Sequence, residues 1–376
     1  MKKIFVSCGE VSGDIYAGDL IRALLKIDPA LKISGMLGPE GEAAGGEALF
    51  SYEELKLMGI LEVLPALPKI FRLKKNLTNE ILRTSPDCVV LIDSPDFHLM
   101  LAHALRKKGY AGKIISLIPP TVWAWREGRV KNLKRDFDFC LPLFYFEHEF
   151  LKARGVKSLW DSHPLVFNMK DVKISDEFKK RFADKKIIAL MPGSRRYDIK
   201  YHLEILLGAA KILSAKKYLP VFSIAGGLSK DLAEELKIHV KESGFEFWEG
   251  SGRELMLGSL AVAGVSGTVA VEAMLLERFM VVIYNMKRLN HAILKFLVHV
   301  KKISIPNYLA SFEVYPELIA SAATPERIVL ELEKYLNDPA RRSEVQEGLR
   351  EAKELMGHTS AGEFWAKSIL NSLEGE

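Results

Sequence analysis

The chain has 376 residues, 48% of them hydrophobic and 27% charged, with a formal net charge of +5. That length suggests about two domains of roughly 150 residues each. The composition excludes a disordered chain, and the small positive balance is no nucleic-acid footprint, though it suits an anionic surface or substrate.

The opening MKKIFVSCGE is basic and then apolar, but its apolar run is too short for a secretory leader and no cleavage site follows. The longest apolar stretch, LAVAGVSGTVAVEAMLL, is broken by Ser266, Gly267, Thr268 and Glu272, so no membrane span is expected. Cys8, Cys88 and Cys140 lie far apart in apolar runs without CxxC or Cys/His spacing. They read as buried, reduced thiols rather than a metal cage or a disulfide framework.

In chain order, short apolar runs alternate with helical patterns. The first half predicts strands at KIFVSC (3–8), KISGML (32–37), DCVVLID (87–93), KIISLI (113–118) and FDFCLPL (137–143). Helical stretches such as IYAGDLIRALLK and HLMLAHALRKKG lie between them. Near-continuous apolar strands are buried on both faces, which implies a parallel sheet with helices on each side. The pattern lapses over about 162–185 and resumes with strands at KKIIALM (185–191), YLPVFSIA (218–225), SLAVAG (259–264) and FMVVIY (279–284). The tail from about 324 is helical, with Thr324 and Pro325 as N-cap and first helical residue. The expectation is two doubly wound parallel-sheet α/β domains, with chemistry in the loops at the strand carboxyl ends, facing a cleft.

Five such loops stand out. GEVSGD follows the first strand; Ser12 or Asp14 can cap the next helix, while Glu10 and Asp14 suit sugar hydroxyls better than phosphate. LIDSPDFH ends a buried strand with Asp93, a candidate general base, and Asp96, which can cap the following helix. PPTVWAWREGR holds Trp123, Trp125, Arg126 and Arg129, either core anchors with a solvated basic face or an aromatic wall with cations for a bulky anion. In ALMPGSRRYD, Gly193 and Ser194 open a helix, and Arg195 or Arg196 adds a cation, a phosphate-binding arrangement. In VSGTVAVEA, Ser266, Gly267 and Thr268 start another helix with Glu272 on the face of Thr268. That combination suits a diphosphate with a ribose diol, or is simply a capped helix with an exposed acid. Asp136-Phe137-Asp138 spells a DxD metal–diphosphate motif, but it opens a strand instead of ending one and is read as incidental.

Taken together, GEVSGD, IDSPDF, PPTVWAWREGRV, MPGSRR, SGTVAVEAML and SIPNYLA resemble, in order, the motifs of the lipid-A-disaccharide synthase family, from about residue 4 to 320. The resemblance implies a GT-B fold: an N-terminal acceptor and catalytic domain over 1–165, a UDP-sugar-binding domain over 166–357, and a final helix, about 358–376, returning to the first. It implies an inverting, metal-independent glycosyltransferase of family 19 at the cytoplasmic face of the inner membrane. Such an enzyme joins UDP-2,3-diacylglucosamine to the 6-hydroxyl of 2,3-diacylglucosamine-1-phosphate, releases UDP, and needs no cofactor. On this reading Asp93 is the base, Glu10 a functional acid near the acceptor, and Arg195 the cation that neutralises the leaving diphosphate. Ser194, Ser266 and Thr268 donate to phosphate oxygens, Glu272 holds the ribose, and Asn307 lines the same pocket. Ser12, Asp14, Trp125, Arg126 and Gly267 complete the substrate contacts. Another GT-B enzyme, such as a UDP-N-acetylglucosamine 2-epimerase, and a non-catalytic nucleotide-sugar or lipid-binding protein are the competing readings.

The segment LPALPKIFRLKKNL (64–77) mixes Ile70, Phe71, Leu73 and Leu77 with Lys69, Arg72, Lys74 and Lys75. It is expected to meet an anionic membrane, with Ile70, Phe71, Arg72 and Lys74 in contact. LNHAILKFLVHVKK (289–302) has a similar mix but reads better as a helix packed on its own domain. The chain departs from the family pattern at Asn285, where arginine is frequent, at Ser162 before HPL, where glycine is usual, and at His98, where asparagine is common.

Overall fold

A computed structural model of the chain describes residues 1–56, 63–285 and 302–374. It divides into two compact units, Met1–Phe167 with Gly357 onward, and Asn168–Met356. Among the described residues, each unit holds one six-stranded sheet with parallel pairing throughout.

The first sheet contains β1 (Lys3–Cys8), β2 (Lys32–Leu37), β3 (Glu47–Ser51), β4 (Cys88–Ile92), β5 (Lys113–Leu117) and β6 (Phe139–Leu141), in the order β3-β2-β1-β4-β5-β6. Period-2 alternation sorts its side chains. Ile4, Val6, Cys8, Val90 and Ile92 face one core, shared with the helix Val11–Ile27 and the terminal helix Ala361–Glu374. Phe5, Val89, Leu91 and Ile114 face the other, shared with the helices Val63–Thr84 and Pro95–Lys107. The terminal helix is fastened to Val11–Ile27 by the edge-on Tyr16–Trp365 ring pair and by Lys26–Glu363 at 2.8 Å. All three cysteines are buried and free.

The second sheet contains β7 (Ile187–Met191), β8 (Leu219–Ser223), β9 (Glu246–Trp248), β10 (Ala261–Val265), β11 (Met280–Tyr284) and β12 (Glu317–Ile319), in the order β12-β11-β10-β7-β8-β9. Counted from its own first strand, this is the same order as in the first unit. In both sheets the first and fourth strands are neighbours whose following chains run to opposite sides, which makes the switch point where doubly wound folds bind ligands. Those neighbours are β1 with β4 and β7 with β10.

The eight central strands of the sequence reading are present within a residue or two, and FDFCLPL shrinks to Phe139–Leu141. Three strands were not foreseen, β3, β9 and β12, and each lies at a sheet edge. An edge strand buries little, as the alternating exposure of Glu47–Ser51 shows, so it lacks the apolar run that marks a central strand. Thr324 caps the helix Pro325–Asn337 as expected, its hydroxyl accepting from the Arg327 N–H. No helix among the described residues is long and apolar enough to cross a membrane.

Candidate active site

At the first switch point the chain leaves β1 through Gly9 and Glu10 and leaves β4 through Asp93 and Ser94. Cys8 pairs with Ile92 across the two strands, so the two loops start side by side. They touch: a Cβ on Gly9 would lie 2.3 Å from Ser94 Oγ, so only glycine fits there. Asp93 continues the ladder by donating its N–H to Leu117 O at 3.0 Å. It then turns left-handed, with φ of 55°, and Ser94 follows with φ of 44°. Two successive non-glycine residues in that region cost roughly 1–2 kcal/mol each and are held by their surroundings.

The surroundings of Asp93 raise its proton affinity. Burial first, and then the negative charge of Glu10, push the carboxyl up to about 6, against the opposing Ser94 N–H. A carboxylate with that value is a proton acceptor matched to neutral pH. Glu10 is exposed and has no capping hydrogen bond of its own. Beneath the turn, buried His98 brings its Nδ1 to 2.7 Å from Asp93 O and its Nε2 to 3.0 Å from Ser7 Oγ on β1.

Asp14 departs from expectation. It is 1% exposed, and its carboxylate accepts the backbone N–H groups of Gly38, Glu40 and Gly41 at 2.8, 2.9 and 3.1 Å. It therefore fastens the start of the short helix Pro39–Ala43, and its burial keeps it from the surface. Ser12 is exposed on the first turn of Val11–Ile27.

The tryptophan loop divides its work. Trp123 is an anchor: its Nε1 donates to Glu147 Oε1 at 2.8 Å, and burial lifts the Glu147 carboxyl to about 7. Trp125 instead carries cations, with the guanidinium of Arg126 4.3 Å and that of Arg129 5.3 Å from its ring centroid. Both arginines also bond Asp96 Oδ1, which ties this loop to the turn that carries Asp93. Asp96 thus serves the arginines; the N-cap position belongs to Ser94.

At the second switch point the loops leave space. A cavity of about 340 Å³ is lined by Gly193, Ser194 and Asp198 after β7, by Ser223 and Gly226 from the β8 end, by Ser251–Arg253 after β9, and by Ser266–Val269 with Glu272 after β10. Gly193 has φ of +107° and a Cβ there would sit 2.4 Å from Asp198 Cβ, so a side chain is excluded on both counts. Gly267, with φ of +153°, precedes the helix Thr268–Leu275, whose first turn faces the cavity. A helix start with hydroxyls and small residues around it is suited to phosphate oxygens.

Here too the structure amends the sequence reading. Glu272 lines the cavity but is paired, accepting from Arg253 Nε at 2.8 Å. Arg253 is the one cation among the cavity-lining residues described, and the sequence reading missed it. It follows β9, an unforeseen strand, so no strand end pointed to it. Arg195 is exposed at the N-cap of the helix Arg196–Ala215 and does not line the cavity. Asn307 does not line it either. It is fully buried, its amide donating to Tyr315 O and Glu317 Oε1 at 2.8 Å each and accepting from Tyr315 N at 2.9 Å. That capacity is spent holding the chain around Ile305–Leu309.

The other expectations fall elsewhere. Asp136 is held by Arg135 and His103, and Asp138 by Arg106, Lys113 and the Ile114 N–H. Along 64–77, Leu73 and Leu77 are buried in the core and Ile70 packs against it. The helix therefore turns most of its apolar face inward, and Phe71, 49% exposed, is left outside with exposed Arg72 and with Lys74 5.0 Å from its ring centroid. The 289–302 segment lies, up to 301, outside the described residues.

A family model described as lipid-A-disaccharide synthetase matches residues 4–365. The lipid-A-disaccharide synthase of Myxococcus xanthus (strain DK1622) is 34% identical over 377 residues, covering 99% of this chain and 97% of its own length. That of Acinetobacter baylyi (strain ATCC 33305 / BD413 / ADP1) is 34% identical, covering 94% and 93%. Among solved structures, an S. aureus MnaA–UDP co-structure aligns with a TM-score of 0.67 at 14% identity, over 100% of this chain and 97% of that one. The Methanocaldococcus jannaschii UDP-GlcNAc 2-epimerase in complex with UDP-GlcNAc and UDP aligns at 0.61 with 15% identity, over 99% and 100%. At such identities the structural likeness speaks for the fold alone.

Proposed function

The chain belongs to the lipid-A-disaccharide synthase family of GT-B glycosyltransferases, and from that premise we propose how its residues divide the reaction. The donor is UDP-2,3-diacylglucosamine and the acceptor is 2,3-diacylglucosamine-1-phosphate. The acceptor 6-hydroxyl attacks the anomeric carbon of the donor, UDP departs, and the product is the β-1,6-linked disaccharide 1-phosphate with inverted configuration.

Asp93 takes the proton of the attacking hydroxyl. The observation that carries this assignment is its half-buried, left-handed position at the first switch point, with a carboxyl raised to about 6. Glu10 keeps that carboxyl basic through its charge and accepts from acceptor hydroxyls. One carboxylate is enough, because direct displacement needs no covalent intermediate. Trp125, Arg126 and Arg129 present a flat apolar face under fixed cations, suited to a bulky anionic acceptor. Ser12, exposed on the first turn of Val11–Ile27 two residues after Glu10, is available to the same acceptor.

The second-unit cavity takes the UDP portion. Its volume, about 340 Å³, is in the range of nucleotide-sized sites. Ser194, Ser266, Gly267 and Thr268 meet the diphosphate, and Glu272, oriented by Arg253, accepts from the ribose diol. Negative charge that grows on the leaving diphosphate meets donors already in place, which lowers the barrier without reorganisation. Arg195, outside the lining, adds long-range positive charge. Asp14 and Asn307 take no part in binding. The protein associates peripherally with the cytoplasmic face of the inner membrane through Phe71, Arg72 and Lys74, with Ile70 as packing support.

The test is turnover by the purified protein with both lipid substrates, detergent and a chelator, with UDP release and lipid products followed together. Disaccharide in equal amount to UDP is expected. UDP binding without disaccharide would sink the substrate assignment and turn attention to soluble UDP-sugars as ligands.

A further inference from the structure

We propose that His98 is a positioning residue for Asp93, acting through the hydrogen bond from its Nδ1–H to the Asp93 carbonyl. The proposal rests on Asp93 being the base.

The geometry sets the tautomer. A carbonyl oxygen can only accept, so the Nδ1 that lies 2.7 Å from Asp93 O carries the proton. The Nε2 is then an acceptor, and the Ser7 hydroxyl, 3.0 Å away, donates to it. Ser7, His98 and Asp93 thus form one directed chain running from β1 to the residue that follows β4. Ser7 is fully buried and His98 is 3% exposed. Burial holds the imidazole well below its ordinary value, down to about 4, so the ring stays neutral and the direction of the chain does not change near neutral pH.

This chain meets Asp93 where its backbone most needs holding. Asp93 and Ser94 are both left-handed, and the Asp93 carbonyl lies between those two torsions. Pinning that oxygen fixes the plane of the Asp93–Ser94 peptide and with it the direction in which the carboxylate leaves the turn. The same bridge, through Ser7, sets the residue after β4 against β1, from which Glu10 comes two residues after Cys8. The groups facing the Asp93 carboxyl are Glu10 from the β1 loop and the Ser94 N–H from its own turn. His98 touches only the carbonyl, so its influence is by position and not by charge.

Two substitutions separate the bond from the packing. An asparagine amide reaches about where Nδ1 lies, so His98→Asn keeps the donor to Asp93 O and loses Ser7. A glutamine amide reaches about where Nε2 lies, so His98→Gln keeps the Ser7 contact and loses the donor to Asp93. With His98→Gln, kcat is expected to fall about 10²-fold, the size typical of a misplaced reacting group, with KM little changed. The acid limb of the pH–kcat profile should move below pH 6 as the turn relaxes and Asp93 gains water. With His98→Asn, kcat should stay within about threefold of the parent, since the operative bond survives. Equal loss in both variants, or full kcat in a folded His98→Gln protein, would overturn the proposal.

If His98→Gln does not fold, the parent protein still decides: ¹⁵N NMR of the imidazole should report an Nδ1–H, neutral ring from pH 5 to 9. A protonated ring or an Nε2–H tautomer in that range would end the argument. Asp93→Asn, run beside them, keeps the two readings distinct. If it retains turnover, the base assignment fails whatever the tautomer shows.

Discussion

The ends of β1 and β4 and the ends of β7 and β10 occupy the same place in two copies of one strand order, and they hold opposite chemistry. In the first unit the place is filled. Gly9 lies against Ser94, Asp14 is consumed by three backbone donors, and His98 bridges beneath, so the groups left at the surface of the crevice are carboxylates. In the second unit the place is open, because the loops there are built from glycine and serine around positive-φ turns. The comparison teaches that the strand order supplies only the location. Side-chain volume in the loops decides whether that location becomes a pocket or a packed platform, and its polar groups decide the chemistry.

The sharpest way to break the comparison is Asp93→Asn. If the first switch point is the proton-accepting one, kcat should fall by about 10²–10⁴ while UDP affinity, measured by calorimetry, stays as it was. Parallel loss of UDP affinity would mean that the two places do not have separate tasks. Next in size is Asp14→Ala. Two buried N–H groups and one part-buried one lose their acceptor, so unfolding free energy should drop by about 3 kcal/mol. If Asp14 instead served substrate, denaturant unfolding would be unchanged and KM would rise.

A third prediction concerns pH. The Asp93 carboxyl is raised from its ordinary value to about 6. Between about pH 4 and 6 the folded protein therefore binds more protons at this site than the unfolded chain does. Stability contributed by the site falls as pH rises through that window and stays lower above it. Removing the charge with Asp93→Asn should stabilise the protein at pH 7 by on the order of 2 kcal/mol, while activity of the parent enzyme rises as pH climbs through about 6. An unchanged melting temperature at pH 7 would mean that Asp93 is better solvated than its burial implies.

Arg253→Ala sharpens the other side of the comparison. It removes the cation from the cavity lining and leaves Glu272 unpaired, so UDP should bind about tenfold more weakly, with kcat less affected. Unaltered UDP affinity would show that the hydroxyls and backbone donors hold UDP without the Arg253–Glu272 pair. The smallest effect expected is that of Phe71→Ser, which should lower binding to anionic vesicles a few-fold and leave turnover on detergent-dispersed substrates unchanged. One half-exposed ring is a modest contribution, since Ile70, Leu73 and Leu77 are committed inward.

Particular residues show how much was legible beforehand. The central strands were, because burial on both faces leaves a continuous apolar run; KIFVSC and KISGML match β1 and β2 end to end. The glycine-rich loops of the second unit were, because Gly193 and Gly267 mark turns that other residues resist. The place of Asp93 at the end of a buried strand was, because the apolar run of β4 stops just before it. Asp14 and Asn307 were misjudged for a shared reason. A polar side chain near a glycine looks alike in sequence whether it faces a ligand or a neighbour's peptide N–H, and both turned out to face the chain itself. Arg253 was missed because its strand, β9, is a three-residue edge without an apolar signature.

By itself, then, the sequence determined the alternation of buried strands and helices, the two-unit plan, and the loops whose residue types can handle carboxylate and phosphate chemistry. These are properties of local pattern, since burial and turn geometry constrain residues close along the chain. Only the tertiary structure decided which loops become neighbours: Gly9 with Ser94, residues 85 apart, and Gly193 with Gly267 and Arg253. It also decided which polar groups remain available after the backbone has taken its share. Both decisions depend on strand order and on the competition of distant donors for one acceptor, which no stretch of sequence carries alone.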